Sequence, residues 1–314
     1  MGRDCPRTSR RKDPRMTRRS LLGAAPVLLS LAAFFWATNA IVGKIAAQSG
    51  IPPIGFAFWR WALAIVLILP LTGRSLWEHR AVLRRDGPFL LLLGALSAGA
   101  YNALMYAALA TSTAINVSLV GASMPIMMVV LARLVLKDRL GKRQMAGIAL
   151  SFLGVLLVVA QGDLQVLASL TLHEGDALML LATFLWSVFS VLLRRHPPAV
   201  PATTFLTVQM VGGLLILVPF YAWEILAGRT MPLDATTAWV LPYTAVFPAL
   251  LAFLFWNKGL AAVGPGVAGL YSNLIPVLTA VMAVGLLGET LSWFHACAMV
   301  LILGGIALVS RRPR

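Results

Sequence analysis

The sequence predicts an all-α integral membrane protein with ten transmembrane helices, arranged as two inverted-topology repeats of five helices each. Three observations indicate this fold class. Of the 314 residues, 59% are hydrophobic and only 12% are charged, which leaves too little polar surface to cover a soluble globule of this length. The apolar residues fall into segments of membrane length, and the second half of the chain repeats the first at an offset of 149 to 151 residues.

Ten apolar segments are the candidate spans. Most approach the roughly 20 residues that a helix needs to cross about 30 Å of hydrocarbon. The sequence lacks the ten-residue alternation of a membrane β-barrel, so helices are predicted to satisfy the backbone within the membrane. The segments are 24–46, 55–72, 87–109, 113–136, 142–160, 174–194, 203–223, 236–258, 265–287 and 291–310.

Matched residues define the two repeats. Because each copy holds an odd number of spans, the second copy must enter the membrane from the opposite face, as in many secondary transporters. We therefore divide the chain into a basic tail (1–23), a first repeat (24–160), a linker (161–173), a second repeat (174–310) and a C-terminal tail (311–314). The matched pairs include Trp36 and Trp186, Pro70 and Pro219, Pro125 and Pro276, and Gly154 and Gly305.

The basic residues fall in alternate connections. The net charge is +15, and the lysines and arginines gather in the two tails and after the second, fourth, sixth and eighth spans. The opposite connections hold essentially only Arg229. By the positive-inside rule, both termini are predicted to be cytoplasmic and the linker periplasmic. This distribution marks one membrane face and argues against a nucleic-acid partner.

The N-terminal tail resembles an export signal at residues 17–22, Thr-Arg-Arg-Ser-Leu-Leu. The apolar run that follows is interrupted by Trp36 and Asn39 and is needed as the first span of the repeat, so we expect it to be retained. Cys5 lies in the predicted cytoplasmic tail and Cys297 in the tenth span, so no disulfide is expected.

Short motifs in both repeats resemble the drug/metabolite transporter superfamily, specifically its EamA branch of ten-helix exporters. The second repeat carries Ile-Pro-Val-Leu-Thr-Ala at 275–280, Leu-Gly-Glu-Thr-Leu-Ser at 287–292 and a glycine pair at 304–305. In the first repeat, Trp-Ala-Thr-Asn at 36–39 resembles a Trp-Gly-x-Asn element and Arg60 matches a common arginine, whereas Lys137-Asp138 departs from Gly-Glu. The resemblance implies a transporter of the bacterial inner membrane. Its best-known cargo is amino acids, including aromatic ones, with drugs, nucleobases and other metabolites as alternatives.

Two prolines at matching positions are predicted to interrupt the fourth and ninth spans. Pro125 and Pro276 each remove one intrahelical hydrogen bond near the middle of a span. Paired interruptions indicate a midplane substrate site because the freed carbonyls can face a cavity, although proline kinks also serve helix packing. Tyr271 and Asn273, which precede the second kink, are candidate substrate contacts.

Tryptophan and polar residues in two equivalent spans are further candidates. Trp36 and Asn39 share a face of the first span, where a buried amide needs water or an interhelical partner. Trp186 and Ser190 occupy the same depth in the sixth span, so we expect the two tryptophans to face each other and to suit an aromatic or amphipathic cargo. The remaining tryptophans of interest lie near span ends and predict an interfacial belt, namely Trp59, Trp61, Trp223, Trp239 and Trp293.

The third span adds Tyr101, Asn102 and Tyr106. Asn102 and Tyr106 are four residues apart and stack on one face, where they can bind a zwitterion or a sugar, or hold helices together. Two cations also fall within spans. Lys44 is expected to extend to the membrane interface. Arg60 either binds a substrate carboxylate through its guanidinium fork, or has a structural role in which it extends to the outer interface or holds backbone carbonyls at a helix end.

The sequence offers no catalytic or metal-binding pattern. None of its 11 Asp and Glu residues lies in the centre of a span, and neither metal-ligand spacings nor a Gly-rich phosphate loop is present. We therefore predict a transporter without cofactors or enzymatic activity, whose partners are a small-molecule cargo and the lipid bilayer. The sequence leaves the oligomeric state open, and a monomer is compatible with this role. The alternatives are a carrier of anionic metabolites such as sugar phosphates, or a lipid-handling or structural membrane protein with no soluble cargo.

Overall fold

The computed structural model describes residues 14–137, 141–159, 162–163, 174–272 and 274–310. Within these ranges, α-helices and two short π-helical segments are the only regular secondary structure, in agreement with the predicted all-α class. Most of the predicted linker, much of the N-terminal tail, the C-terminal tail, Asp138 and Asn273 lie outside the described residues.

The helices follow the predicted apolar segments. Two π-helical segments, Ala95–Ala100 and Ala245–Leu251, each lie between two of the α-helices. The first half contains α1 Pro14–Gln48, α2 Pro53–Glu78, α3 Arg80–Gly94, α4 Tyr101–Thr111, α5 Ala114–Gly121, α6 Met124–Leu136 and α7 Lys142–Val159. The second half contains α8 Glu174–Arg195, α9 Ala202–Leu226, α10 Ala235–Thr244, α11 Ala252–Val263, α12 Pro265–Ser272, α13 Leu274–Leu287 and α14 Trp293–Ser310.

Membrane-length helices account for most of the described chain. Within the described ranges, eight helical stretches are long and apolar enough to cross a membrane. Two shorter apolar stretches, Met145–Gly154 in α7 and Trp293–Gly305 in α14, fall in the predicted fifth and tenth spans. The protein is thus an all-helical integral membrane protein, while the count of ten spans in inverted repeats stays a prediction.

Helix ends follow from the local sequence. Thr113 caps α5 by accepting a hydrogen bond from the Asn116 amide at 3.1 Å, and Asp234 caps α10 by accepting one from the Thr237 amide at 2.8 Å. These side chains satisfy amides that have no partner within the helix. Gly264 follows α11 with a φ of +82°, a conformation that glycine adopts without steric cost.

The two halves pack in a reciprocal pattern. Helix α1 packs against α11 and α13, and α8 packs against α4 and α6. When each helix is replaced by its counterpart in the other half, the α1–α11 contact becomes α8–α4, and the α1–α13 contact becomes α8–α6. Two further contacts, α2 with α9 and α7 with α14, are each made between counterparts and stay the same. Helices α1 and α8 therefore hold equivalent positions, each against the opposite half.

Glycines allow α9 to approach α3 and the first π-helical segment closely. A Cβ atom on Gly94 would collide with the backbone of Gln209, and one on Gly212 would collide with the backbone of Leu91. Small residues at such crossings let membrane helices gain van der Waals contact. A larger side chain at either position would force the two helices apart.

Candidate functional site

A small cavity lies between the two halves. Its volume is about 30 Å³, which holds about one water molecule and is too small for an amino acid. Its walls come from α1, α4, α5 and α6 of the first half and from α8, α12 and α13 of the second. The predicted substrate contacts that line it are Trp36, Asn39, Tyr101 and Asn102.

Aromatic rings from both halves meet beside this central cavity. Trp36 and Trp186 contact each other edge to face, with ring centroids 5.2 Å apart, as predicted. Trp256 lies 5.1 Å from Trp36, and Phe253 lies 5.3 Å from Trp186. The indole N–H groups of Trp186 and Trp256 are buried and have no hydrogen-bond partner among the described residues. The cluster can cover an apolar or aromatic side chain and still offers two donors.

The Arg60 side chain is buried behind Asn39. Arg60 is 1% exposed, and its Nη1 donates to Asn39 Oδ1 at 3.3 Å and to the Tyr106 hydroxyl at 2.7 Å. The Tyr106 hydroxyl in turn donates to Asn39 Oδ1 at 2.8 Å. The Cζ atom of Arg60 also lies 4.4 Å from the centroid of the Trp61 ring, and this cation–π contact offsets part of the cost of burying the charge.

Burial of Arg60 shows that the alternative in which it extends to the outer interface is wrong. In the part of the chain that the structure describes, Arg60 forms no ion pair, and its Nε and Nη2 atoms have no hydrogen-bond partner. A cation inside a membrane protein costs at least a few kcal/mol unless it is paired or hydrated. Asn39, which accepts from Arg60 Nη1 and lines the cavity, connects the buried guanidinium to the cavity wall.

The two π-helical segments supply backbone acceptors beside the site. The indole N–H of Trp61 donates to the Ala98 carbonyl at 2.6 Å, and that of Trp36 donates to the Pro248 carbonyl at 3.2 Å. Ala98 and Pro248 are 150 residues apart and thus hold equivalent places in the two halves. Asn102 also donates to the Ala98 carbonyl, at 3.0 Å. Single-turn π-helical segments frequently occur at functional sites, and the sequence analysis did not predict either one.

The tryptophans assigned to an interfacial belt divide into two groups. Trp61 is 0% exposed, so its predicted interfacial place is wrong, because the carbonyl of the π-helical segment satisfies its indole inside the protein. The other four expose large fractions of their surface, as an interfacial position requires. They are Trp59 at 43%, Trp223 at 60%, Trp239 at 45% and Trp293 at 64%.

Five of the predicted substrate contacts that the structure describes do not line the central cavity. Two of them, Arg60 and Trp186, lie behind lining residues, and the other three are Ser190, Tyr106 and Tyr271. Ser190 is buried and donates to a carbonyl of its own helix at 2.9 Å. Tyr106 is 2% exposed and is held by hydrogen bonds to Arg60 and Asn39, with which it forms what we call the arginine cluster. Tyr271 is half-buried on α12, where the next residue, Ser272, lines the cavity instead. Asn273 lies outside the described residues.

Pro125 interrupts its span as predicted, although the interruption is a two-residue break and not a bend. Helix α5 ends at Gly121 and α6 begins at Met124, so Pro125 is the second residue of a new helix, where its missing N–H is tolerated. Pro276 is the third residue of α13. Gly121 and Ser272, four residues before each proline, both line the cavity. A proline cannot donate to the carbonyl four residues earlier, so in both halves that carbonyl belongs to a residue of the cavity wall.

Lys44 caps a helix. Its Nζ donates to the carbonyls of Leu109 and Ser112 at 3.1 and 2.8 Å, at the C-terminal end of α4. A cation at this end complements the helix dipole. Lys44 therefore has a structural role at the end of a span, and its extension to the interface stays a prediction.

Two carboxylates of the second half bind helix N-termini of the first half. Glu224 accepts hydrogen bonds from the amides of Ile54 and Gly55 at 3.3 and 2.6 Å, at the start of α2. Glu289 accepts from the first two amides of α5 at 2.9 and 3.1 Å. Negative charge is favourable at a helix N-terminus. Both acids lie at span edges as predicted, but their contacts between the halves were missed.

A buried polar chain crosses between α9, the first π-helical segment and α11. Gln209 is 0% exposed, donates to the Ser97 hydroxyl at 2.8 Å and accepts from the Asn257 amide at 2.9 Å. At offsets of 149 and 151 residues, Gln209 and Asn257 are the counterparts of Arg60 and Tyr106. The Arg60–Tyr106 hydrogen bond of the first half and the Asn257–Gln209 hydrogen bond of the second therefore lie at equivalent positions. Aligning the halves residue by residue would have found Gln209.

The EamA-like transporter family matches this chain twice, over residues 24–160 and 173–311. The chain belongs to the EamA-like transporter family. This EamA-like protein is 28% identical over 260 residues to "Uncharacterized transporter YyaM" of Bacillus subtilis, covering 82% of this chain and 84% of the relative. It is also 28% identical over 293 residues to the "Probable amino-acid metabolite efflux pump" of Salmonella typhimurium, covering 89% and 92% of the two chains.

A solved crystal structure has the same fold as this EamA-like protein. The two superpose with a TM-score of 0.69 at 21% sequence identity, covering 91% of this chain and 97% of the other. Together with the apolar helices, these matches show a multi-pass membrane transporter with bacterial relatives.

Proposed function

We propose that this EamA-like transporter exports small metabolites, chiefly amino acids, across the bacterial inner membrane by alternating access. The observation that carries the proposal is a set of unpaired buried donors on residues that contact the wall of the central cavity. These are Nε and Nη2 of Arg60 and the indole N–H groups of Trp186 and Trp256. Each unpaired buried donor costs about 1–3 kcal/mol, so an acceptor-rich group such as a carboxylate is the matching ligand.

The side chains around the cavity suggest a division of roles. Trp36 and Trp186 cover the cargo side chain, Asn39 orients its polar end and Arg60 attracts its carboxylate. Tyr101 and Asn102, on the cavity wall, contribute a hydroxyl and an amide. Amino-acid cargo also agrees with the name of the Salmonella relative.

Alternating access needs two similar halves that move against each other. The reciprocal packing of α1 and α8 against the opposite halves supports an inverted repeat. A cavity of about 30 Å³ is too small for an amino acid, so cargo binding requires the cavity to widen. Glu224 and Glu289 join the halves at the predicted periplasmic ends. With no carboxylate in the middle of a span, export down the cytosolic gradient is the simplest energetics.

A carrier of anionic metabolites such as sugar phosphates is the second candidate. The same unpaired guanidinium of Arg60 favours it, since arginine also binds phosphate through two hydrogen bonds. A protein without soluble cargo fits less well, because Asn39, Asn102 and Ser118 place polar groups on the cavity wall.

Uptake by proteoliposomes tests the proposed function. The purified protein is reconstituted and offered labelled amino acids, nucleosides and sugar phosphates, with protein-free liposomes as the control. We expect uptake of apolar or aromatic amino acids that leaves the membrane potential unchanged, because a zwitterion carries no net charge. Uptake of sugar phosphates with a change in potential would select the second candidate. Uptake of no amino acid would contradict the amino-acid assignment.

A further inference from the structure

A second cavity, which we call the vestibule, lies between the C-terminal end of α8, the start of α9 and α11. Positive-inside charge places these ends at the cytoplasmic face. The vestibule has a volume of about 400 Å³, within the range of small-molecule sites, whereas the central cavity has about 30 Å³. Of the two cavities, the vestibule is the one that can hold an amino acid in this conformation.

The vestibule combines apolar walls with two polar side chains, Arg194 and Asn257. Asn257 is 6% exposed, and its Nδ2 is engaged by Gln209 at 2.9 Å. Its Oδ1 is buried without a hydrogen-bond partner among the described residues. Since buried polar atoms are nearly always paired, this acceptor fits a ligand that brings a donor.

Arg194 provides an unused positive charge at the edge of the vestibule. Its counterpart at an offset of 150 residues, Lys44, binds two carbonyls at the end of α4. Arg194 lies at the matching place, since a Cβ atom on Gly264 would be 3.7 Å from its Cζ. It nevertheless makes no hydrogen bond or ion pair within the ranges that the structure describes. Its guanidinium is thus free to bind an anionic group.

One residue difference between the two halves explains why the vestibule is open. In the first half, the rings of Phe56 and Tyr106 contact each other at a tilt of 47°, with centroids 4.8 Å apart. Their counterparts in the second half are Phe205 and Asn257, both of which line the vestibule. Because asparagine has no ring, the volume next to Phe205 stays open. The cavity therefore follows from the residues of the second repeat and lies on the side where an exporter collects its cargo.

We propose that the vestibule is a loading site that binds an α-amino acid with an apolar side chain before it reaches the central cavity. Arg194 binds the carboxylate, Asn257 Oδ1 accepts from the ammonium, and Leu193, Phe205 and Leu260 surround the side chain. The cargo class rests on the proposed function, whereas the site is separate from the Arg60 cluster.

Protection of an introduced cysteine tests the loading site. Cys5 and Cys297 are replaced by serine, and Ala261, an exposed residue of the vestibule wall, is replaced by cysteine. The rate of its reaction with N-ethylmaleimide is measured with L-phenylalanine, L-leucine or L-methionine. For the first of these, 3-phenylpropionate and phenethylamine serve as analogues that lack one charge each. We expect the amino acids to slow the reaction at concentrations about tenfold lower than either analogue, as loss of one charged hydrogen bond predicts.

Matched variants locate the effect. Arg194→Gln should raise the protective concentration about tenfold, and it should fold because the side chain holds no other group. Arg195→Gln removes the neighbouring charge, and Ala199→Cys places the thiol in an adjacent cavity. The first should leave protection unchanged, and the second should show none.

Flux of the same amino acids in proteoliposomes separates the two proposals. Amino acids that are transported but give no protection would overturn the loading site and leave the export function standing. Protection without transport would support the site and contradict amino-acid export. The assigned ligand chemistry would be overturned if amino acids protected Arg194→Gln at the same concentrations as the parent protein. It would also be overturned if 3-phenylpropionate protected as well as L-phenylalanine.

Discussion

The guanidinium of Arg60 can hold a carboxylate through two parallel hydrogen bonds, whereas a lysine ammonium offers a single charged point. Arg60→Lys therefore keeps the charge and loses the geometry. If Arg60 binds the cargo, the Michaelis constant for an amino acid should rise about 10- to 100-fold, since a charged hydrogen bond contributes about 1.5–3 kcal/mol. The methyl ester of the same amino acid, which lacks the carboxylate charge, should change little. Uptake kinetics of acid and ester in proteoliposomes measure both effects.

Arg195→Lys is the control for this prediction, because Arg195 is exposed and lies outside the central site. Thermal unfolding of both variants separates binding from stability, as Arg60 also packs on Trp61. An Arg60→Lys variant that still prefers the acid over the ester to the same degree would make Arg60 a purely structural cation.

Sequence patterns identified the members of the arginine cluster but not their contacts. Asn39, Arg60 and Tyr106 were each selected as polar residues within apolar spans. Their hydrogen bonds join residues that are 21, 46 and 67 positions apart in the sequence. Whether such distant side chains meet depends on how each helix is rotated about its axis. Arg60 stands between the exposed Trp59 and the buried Trp61, so neighbouring residues could not decide which way it points. Only the packed helices resolve the two alternatives.

At the scale of helices, apolar length was a reliable guide and backbone interruptions were less so. The break between α5 and α6 was predictable because Pro125 lacks the N–H that would continue the helix. The π-helical segment Ala95–Ala100 contains no proline, and its altered hydrogen-bond register has no residue that signals it. Carbonyl acceptors for Trp36, Trp61 and Asn102 therefore became visible only with the backbone in place.

Replacing Pro125 or Pro276 by alanine restores an amide that can donate to the carbonyl of Gly121 or Ser272 on the cavity wall. A continuous helix gains one hydrogen bond, about 0.5–1.5 kcal/mol, and this gain favours conformations without the break. We expect each variant to reach the membrane at normal levels and to transport about two- to tenfold more slowly. Initial uptake rates normalised to reconstituted protein provide the measurement.

Pro70→Ala is the matched control, since Pro70 lies inside α2 and is exposed on its surface. Its flux should stay close to that of the parent protein. Parental flux in both Pro125→Ala and Pro276→Ala would assign these prolines to helix packing alone.

At the scale of the molecule, packing between the halves and the placement of charge point to one architecture by independent routes. Helix α1 packs against the second half as its counterpart α8 packs against the first half, which fits a pseudo-two-fold relation between the halves. The lysines and arginines alternate between connections along the sequence. Contacts within the protein do not tell which face is cytoplasmic, because that information lies in the interaction of loop charges with the membrane. The orientation thus depends on sequence alone.

Reporter fusions test this orientation directly. An odd number of spans per half places both termini on one face and residues 161–173 on the other. A fusion at Arg314 should therefore be active with a reporter that works only in the cytoplasm, whereas a fusion at Ser169 should require a periplasmic reporter. Activity of both fusions on the same face would mean an even number of crossings in the second half and would contradict the inverted repeat. Exchange of the two faces would leave the repeat intact and reverse the orientation, which would place the vestibule on the periplasmic side and remove its role in collecting cargo for export.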